Sequence, residues 1–135
     1  MTTVEAVRRY LDALNAGDAD AAADAVSDDF VNEHTSARGT GVRGRTAYRA
    51  RLGEFLAQFR ELHYEPEDVI VDGERAAVPY RMTCRWVDGD GTERPVSLRG
   101  IFRFRVRDGL VAHRVDYWDG EEFRRQITAA QGGHA

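Results

Sequence analysis

The stretch "RGIFRFRVRDGLVAHRVDYWDG", residues 99–120, decides the fold. Its first half alternates apolar and polar side chains, the period-two pattern of a strand with one face in the core. The Asp-Gly pair at 108–109 supplies the positive φ angles of a tight hairpin turn, and the pair at 119–120 ends a second strand. The pattern therefore predicts two antiparallel strands, followed by a closing helix over 121–130.

The first of these strands has two distinct faces. The apolar set, which we expect to pack against helices, comprises Val96, Leu98, Gly100, Phe102, Phe104 and Val106. The set that faces water or a partner comprises Ser97, Arg99, Arg103, Arg105 and Arg107, with Ile101 as its apolar exception. Gly100 permits a bend in the middle of the apolar face, and a bent sheet wrapped around a helix makes a cone with an open mouth.

Upstream of this hairpin the same period continues. Further strands are predicted over 68–71 and 76–87, separated by Asp-Gly turns, so that four strands form an antiparallel meander. Within the strand over 76–87, Pro79 is expected to mark a bulge or an edge position, which would reset the register.

The N-terminal half is predicted to be mainly helical. Thr2 and Glu5 have the spacing of a capping box, and a short second helix follows Gly17. The segment 28–35 looks extended. Thr46 is expected to cap a long third helix, whose apolar stripe continues as far as Leu62. The fold class is therefore α+β, with a cone-shaped, curved antiparallel sheet wrapped around N-terminal helices. We expect one domain over 1–130 and a flexible tail over 131–135.

Composition limits the classes of function. The formal charge of −4 leaves no basic footprint for nucleic acid, and no apolar run approaches the ~20 residues of a membrane span. All cationic residues are arginines, which excludes a Schiff base on lysine. The single cysteine, Cys84, and the lack of an apolar leader favour a reducing compartment, the cytoplasm. The histidines His63, His113 and His134 do not combine with carboxylates at metal-ligand spacing, so no metal site is expected.

The order of elements resembles the nuclear transport factor 2-like superfamily, the α+β cone fold. Two stretches carry the resemblance: "YLDALNAGDADAAADAVSDDF" (10–30), which is similar to the superfamily's opening helix pair, and "RGIFRFRVRDGLVAHRVDYWDGEEFRRQI" (99–127), which is similar to the end of a limonene-1,2-epoxide hydrolase. The superfamily also includes SnoaL-like polyketide cyclases, ketosteroid isomerases and scytalone dehydratases. The resemblance implies that no cofactor is needed and that the protein is a homodimer.

The same resemblance implies a set of site residues. The late-strand acid falls on Asp116 and the active-site arginine on Arg81. The residues that hold the hydrolytic water of an epoxide hydrolase fall on Asn32 and His34. The second carboxylate of that family falls on Thr83, which cannot replace it. The missing carboxylate favours proton-transfer chemistry of the SnoaL-like cyclase or isomerase type over epoxide hydrolysis, unless another acid takes its place, for which Glu33 is the candidate.

Each of these residues also has a plainer interpretation. Asp116 could be a carboxylate on the solvent side of its strand, paired with Arg114. Arg81 would lie on the outer face if the strand keeps a regular alternation, and inside if Pro79 shifts the register by one residue. Asn32 and His34 could be hydrogen-bonding residues at the entrance of a loop.

The sequence thus predicts a cofactor-independent acid–base enzyme that acts on a small apolar molecule of polyketide or terpenoid type. Asp116 would move the proton, because burial in an apolar pocket raises the pKa of a carboxyl group. Arg81 and His34 would assist, and the substrate-contacting set comprises Asn32, Leu98, Phe102, Trp118 and Thr83. A non-catalytic binding or assembly module on the same cone, and an epoxide hydrolase with a modified triad, are the alternatives.

Overall fold

The computed structural model describes residues 1–37 and 39–132. Helix α1 (Thr3–Asn15) begins at Thr2, and the predicted capping box with Glu5 is present in both directions. Helix α2 (Ala19–Asp24) begins at Asp18, whose side chain accepts a hydrogen bond from the backbone N–H of the third helical residue. Both helix starts are therefore set by local sequence.

Helix α3 (Arg45–Gln58) departs from the prediction at both ends. It follows Gly44 without a side-chain cap, so the prediction that Thr46 caps it is wrong. It also ends before Leu62, because a strand, β3 (Phe59–Pro66), takes over. In β3 a register shift falls between Arg60 and His63, around a residue with positive φ. This irregularity hides the period-two pattern in the sequence, and the apolar residues looked like the end of a helical stripe.

One sheet contains all the strands among the described residues. The remaining strands are β1 (Val26–His34), β2 (Val42–Arg43), β4 (Ile70–Asp72), β5 (Arg75–Val87), β6 (Glu93–Arg107) and β7 (Leu110–Trp118). The order across the sheet is β2-β1-β7-β6-β5-β3, and β4 pairs with β5 beside the end of β3. Strands β4, β5, β6 and β7 form the predicted four-stranded antiparallel meander. The curved, open sheet with N-terminal helices confirms the predicted α+β class.

The register of β5 corrects one expectation. It pairs with β6 without interruption from Arg75 to Val87, so Pro79 causes no bulge. The proline lies where β4 has ended and β3 has not yet begun, and its carbonyl accepts a hydrogen bond from the amide of Glu67. The missing amide hydrogen therefore costs no strand pairing. Regular alternation then directs Arg81 to the outer face.

The pairing of β1 with β7 is parallel and was absent from the predicted meander. It sets Asn32 opposite Arg114 and His34 opposite Asp116. Residues two apart on a strand share a face, so two residues of each strand meet at the concave side of the sheet. The most deeply buried aromatic side chains on that side are Tyr10, Phe30, Phe102 and Phe104.

Gly100 is required by a close approach rather than only by a bend. A Cβ at this position would lie 2.4 Å from the hydroxyl of Tyr80 and 2.7 Å from the carbonyl oxygen of Tyr117. The last helix, α4 (Gly120–Gly132), packs beside the sheet. The tail predicted over 131–135 begins at the end of this helix, and residues 133–135 lie outside the described residues. In the described part of the chain, no helix is both long enough and apolar enough to cross a bilayer.

Candidate active site

A cavity of about 300 Å³ lies between α3 and the concave face of the sheet. Its walls are mostly aromatic and aliphatic, with contributions from Leu52, Phe55, Leu98 and Trp118. Its polar lining includes Asn32, His34, Arg114 and Asp116, while Arg51 and Glu54 of α3 also contribute. An apolar chamber with a few converging polar groups is the usual form of a small-molecule site.

Asp116 is the carboxylate of this chamber. It is only 4% exposed, and the hydroxyl of Tyr80 donates a hydrogen bond of 2.6 Å to its Oδ1. Burial raises the pKa of Asp116 to about 6, although the positive charge of Arg114 and the Tyr80 hydrogen bond act in the opposite direction. The group can therefore hold or release a proton close to neutral pH, as a general acid or base must.

His34 faces the other oxygen of this carboxylate. Its Nδ1 lies 3.7 Å from Oδ2 of Asp116 and accepts a hydrogen bond of 3.0 Å from the indole N–H of Trp118. Burial, together with the positive charges of Arg114 and Arg51, lowers the pKa of His34 to about 3. The ring is therefore neutral near pH 7, so its contact with Asp116 is not an ion pair. Because Nδ1 accepts from Trp118, the ring hydrogen must be on Nε2.

Gly39 keeps His34 in place from the loop that follows β1. A Cβ at position 39 would lie 2.3 Å from the Cβ of His34, so the loop backbone passes directly over the histidine. Only glycine admits this approach without displacing the ring.

Arg114 is the cation of the site and is only 6% exposed. Its Nε donates to Oδ1 of Asn32 at 2.8 Å, and its Nη1 donates to the hydroxyl of Tyr10 at 3.0 Å. The guanidinium also lies over the ring of Phe102, 5.0 Å from the centroid. Burial opposes its charge, but neighbouring tyrosines and Asp116 raise the pKa of Arg114, so it stays cationic.

The structure brings together four of the predicted residues: Asn32, His34, Asp116 and Trp118. Leu98 also lines the cavity. Phe102 is fully buried behind the wall, where it packs on Tyr80 with ring centroids 4.4 Å apart, and it is not among the lining residues.

Arg81 and Thr83 do not reach the cavity. Both are exposed on the outer face of β5, where Nη1 of Arg81 lies 3.3 Å from Oγ of Ser97. Glu33 is exposed as well, and its Oε1 lies 3.1 Å from Nε2 of His113. The expected positions of Arg81 and Thr83 within the site are therefore wrong, because β5 pairs with β6 without a register shift and keeps both on the outer face. Glu33 does not take the place of the missing carboxylate.

Sequence reasoning missed the roles of Arg114, Tyr10, Tyr48 and Tyr80 in this region. One signal was available for Arg114, since it shares a strand face with Asp116 and Trp118. Tyr80 lies on the buried face of β5, but its hydrogen bond to Asp116 depends on the free space beside Gly100, which the sequence pattern does not indicate. Nothing in the sequence links Tyr10 to a residue more than a hundred positions away.

The donor set offers little to a metal ion. Among residues 1–37 and 39–132, no three His, Cys, Asp or Glu side chains are grouped so that they could hold one. The arrangement instead provides a proton-exchanging carboxyl group, a neutral imidazole and a buried cation at one end of an apolar chamber. Such a set can move a proton and stabilise a developing negative charge on oxygen.

Comparison with solved structures identifies the same fold in several bacterial proteins. A candidate SnoaL-like polyketide cyclase from Shewanella denitrificans superposes with a TM-score of 0.85 at 16% identity, covering 94% of this chain and 97% of that one. An LEH-like epoxide hydrolase from M. tuberculosis gives 0.76 at 21% identity, covering 97% and 96%. A candidate polyketide cyclase from Xanthomonas campestris gives 0.79 at 23% identity, covering 93% and 96%.

These likenesses establish the fold and leave the reaction open. Among curated proteins, none matches the sequence significantly. The profile of the SnoaL-like domain matches residues 7–114, which is most of the chain and runs from within α1 through α2, α3 and the strands as far as Arg114 in β7. The chain therefore belongs to the SnoaL-like domain family, and it shares the fold of nuclear transport factor 2-like proteins.

Proposed function

We propose that this protein is a cofactor-independent acid–base enzyme that transfers a proton within a small, largely apolar molecule bound in the cone. The observation that carries the proposal is the state of Asp116. It is a buried carboxyl group at the wall of an apolar cavity, with a pKa of about 6. Polyketide- or terpenoid-like compounds are the class of substrate that fits such a chamber, and cyclisation or isomerisation is the class of reaction.

In this mechanism Asp116 takes a proton from a carbon next to a carbonyl group and returns it at another position. The hydrogen bond from Tyr80 stabilises the ionised carboxylate, and Arg114 provides a fixed positive charge in the same cavity. The neutral His34, whose Nε2 carries a hydrogen, can donate to an oxygen of the substrate. This is a correction to the sequence-based assignment, in which Arg81 supplied the cation.

The experiment is the substitution Asp116→Asn, assayed on a panel of enolisable cyclic and polycyclic ketones. We expect kcat/KM to fall by about 100- to 10,000-fold, the usual contribution of a positioned acid or base. Asp119→Asn is the matched control, because Asp119 is exposed and accepts hydrogen bonds only from the first turn of α4. Equal turnover by Asp116→Asn and the wild-type protein would remove Asp116 from the mechanism.

Two alternatives have weaker support. Epoxide hydrolysis by the two-carboxylate route needs a second acid beside the arginine, and Glu54 of α3 is the other carboxylate that lines the described part of the cavity. A binding or assembly module needs no proton transfer. The open cavity and the burial of Asp116 support catalysis over that role, since an unused buried carboxyl group costs stability.

We further propose that the protein is a homodimer in the cytoplasm. The outer sheet face exposes Ile101 (44%) and Tyr117 (40%) on neighbouring strands, at paired positions. Such an apolar centre among arginines suits a two-fold interface. We expect Ile101→Glu to convert a dimer into a monomer in analytical ultracentrifugation, whereas Ile70→Glu, on the short strand β4, should not. A wild-type monomer would contradict the proposal.

A further inference from the structure

A chain of three hydrogen-bonded side chains leads from the buried cation to the cavity wall. Nη1 of Arg114 donates to the hydroxyl of Tyr10 at 3.0 Å, and that hydroxyl lies 2.5 Å from the hydroxyl of Tyr48. Tyr10 comes from α1, Tyr48 from α3 and Arg114 from β7. Tyr48 and Arg114 line the cavity, and Tyr10 lies behind them.

The direction of these hydrogen bonds follows from the number of protons. A guanidinium group only donates, so the oxygen of Tyr10 accepts from Arg114. Tyr10 is 0% exposed, and among the described residues its hydroxyl has no acceptor other than Tyr48. If Tyr48 donated to Tyr10 instead, the proton of Tyr10 would be buried without a partner, which is costly. Tyr10 therefore donates to Tyr48.

The hydroxyl proton of Tyr48 is then left over. Its oxygen already accepts from Tyr10, and no side chain or backbone group in the described part of the chain accepts from it. Tyr48 is 3% exposed and belongs to the cavity lining. A molecule bound in the cavity with an oxygen atom beside this hydroxyl would accept the proton.

We propose that Tyr48 is the hydrogen-bond donor for the reacting oxygen of the substrate, and that Arg114 strengthens this donor through Tyr10. The inference rests on the proposed function and adds the residue that binds the carbonyl oxygen of the substrate. The molecule carries a carbonyl oxygen that becomes an enolate when Asp116 removes the neighbouring proton. A hydrogen bond to a charged oxygen is stronger than one to a neutral oxygen, so the bond to Tyr48 strengthens as the charge develops.

Arg114 sets the direction of the hydrogen bonds that run from its guanidinium through Tyr10 to Tyr48. Each hydroxyl that accepts a hydrogen bond becomes a better donor of its own proton, so the positive charge of Arg114 makes the hydroxyl of Tyr48 a stronger donor. The ring of Tyr48 is held by Phe30, with centroids 4.8 Å apart and planes inclined by 64°. Tyr48 is thus a binding residue for the oxygen, and Tyr10 is a positioning residue.

The test uses substituted phenols of graded acidity as stand-ins for the enolate, with their methyl ethers as neutral references. Absorbance of the bound ligand reports the fraction of phenolate. We expect Tyr48→Phe to weaken phenolate binding by about 10- to 100-fold, as for a hydrogen bond to a charged group, and to leave binding of the methyl ether unchanged. Tyr10→Phe should cause part of the same loss. Tyr117→Phe, on the outer face, is the matched control and should cause none.

Unchanged binding of the methyl ether shows that a variant has kept the shape of the cavity. The proposal is overturned if Tyr48→Phe binds phenolate as well as the wild-type protein does. It is also overturned if the larger loss occurs in Tyr64→Phe, which removes another hydroxyl from the cavity lining, or if the wild-type protein does not prefer phenolate to the methyl ether. Because ligand ionisation is measured without turnover, this result is independent of the Asp116→Asn assay, and either proposal can fail alone.

Discussion

Each face of the sheet has an arginine close to a carboxylate, but the pKa of the carboxylate is shifted in opposite directions on the two faces. On the outer face, Arg99 holds both carboxylate oxygens of Glu67, and the two side chains are 66% and 36% exposed. The hydrogen bonds from Arg99 lower the pKa of Glu67. On the inner face, burial raises the pKa of Asp116 although Arg114 is close. An arginine near a carboxylate therefore does not fix its protonation, and loss of water can outweigh it.

The largest expected change in stability comes from filling the space beside Gly100 on the inner face of the sheet. In Gly100→Ala the new methyl group would overlap the hydroxyl of Tyr80 and a backbone carbonyl. We expect a loss of about 3 kcal/mol in the free energy of unfolding, because the backbone cannot move aside, together with weaker contact between Tyr80 and Asp116.

Gly53→Ala is the matched control on α3. A Cβ there would meet the nearest atom, Nη1 of Arg49, only at 3.4 Å, so the change should stabilise the helix by about 0.5–1 kcal/mol. Urea unfolding of both variants measures the difference. Equal stabilities of the two variants would show that the space at Gly100 is not needed.

The second comparison removes one arginine from each face. Arg114→Gln leaves Asn32 and Tyr10 without a donor in a buried place, and we expect a loss of about 2–3 kcal/mol in the free energy of unfolding. It should also raise the pKa of Asp116 further, since the opposing positive charge is gone.

Arg99→Gln is the control on the outer face, where the pair is solvent-exposed and only a small effect on stability is expected. Denaturant unfolding and the pH profile of turnover give the two readouts. A comparable loss of stability in both variants would contradict the distinction between the faces.

The third prediction concerns pH. Native His34, with its pKa near 3 instead of 6.5, stays neutral where the unfolded chain takes up a proton, so its contribution to stability falls as pH falls from 6.5 towards 3. Native Asp116, with its pKa near 6 instead of 3.8, keeps a proton that the unfolded chain has released, so its contribution falls as pH rises from about 4 to 6. In the wild-type protein the pH dependences of these two contributions to the free energy of unfolding therefore have opposite signs between pH 4 and pH 6.

In His34→Gln the contribution of His34 is gone, so the pH dependence of the unfolding free energy that Asp116 causes should become visible. Relative to the wild-type protein, we expect the variant to lose about 2 kcal/mol of unfolding free energy as pH rises from 4 to 6. Parallel pH profiles of the two proteins in urea unfolding would show that the pKa of His34 is not shifted. Turnover by the wild-type protein should rise through pH 6, as Asp116 becomes the ionised base.

The elements that were predicted correctly are those whose signal lies in residues close together in the sequence. The alternation along 96–104 contains no Pro and no residue with positive φ, and β6 pairs with β5 there without a register shift, so the faces of β6 follow directly from it. The first helix was equally clear from its capping box. The strand β3 was missed because the irregularity near Glu61 breaks the alternation that identifies a strand.

The candidate site was predicted only in part because its contacts are distant in sequence. Asp116, His34 and Asn32 were identified by resemblance, and the structure places them together. Arg114 was considered only as a surface partner, since a charged strand residue is exposed by default. Its burial depends on Tyr10 and Asn32, which lie 104 and 82 residues away along the chain.

The parallel pairing of β1 with β7 also sets an order of events during synthesis. Asn32 and His34 are synthesised 82 residues before their strand partners, Arg114 and Asp116. This side of the cavity therefore forms only after β7 has been made, and contacts of such long sequence separation slow folding. Until β7 is in place, one edge of β1 has no strand partner and can pair with another chain, which favours aggregation. Dependence on chaperones during expression, and recovery of activity only in the slowest refolding phase, are the consequences we expect.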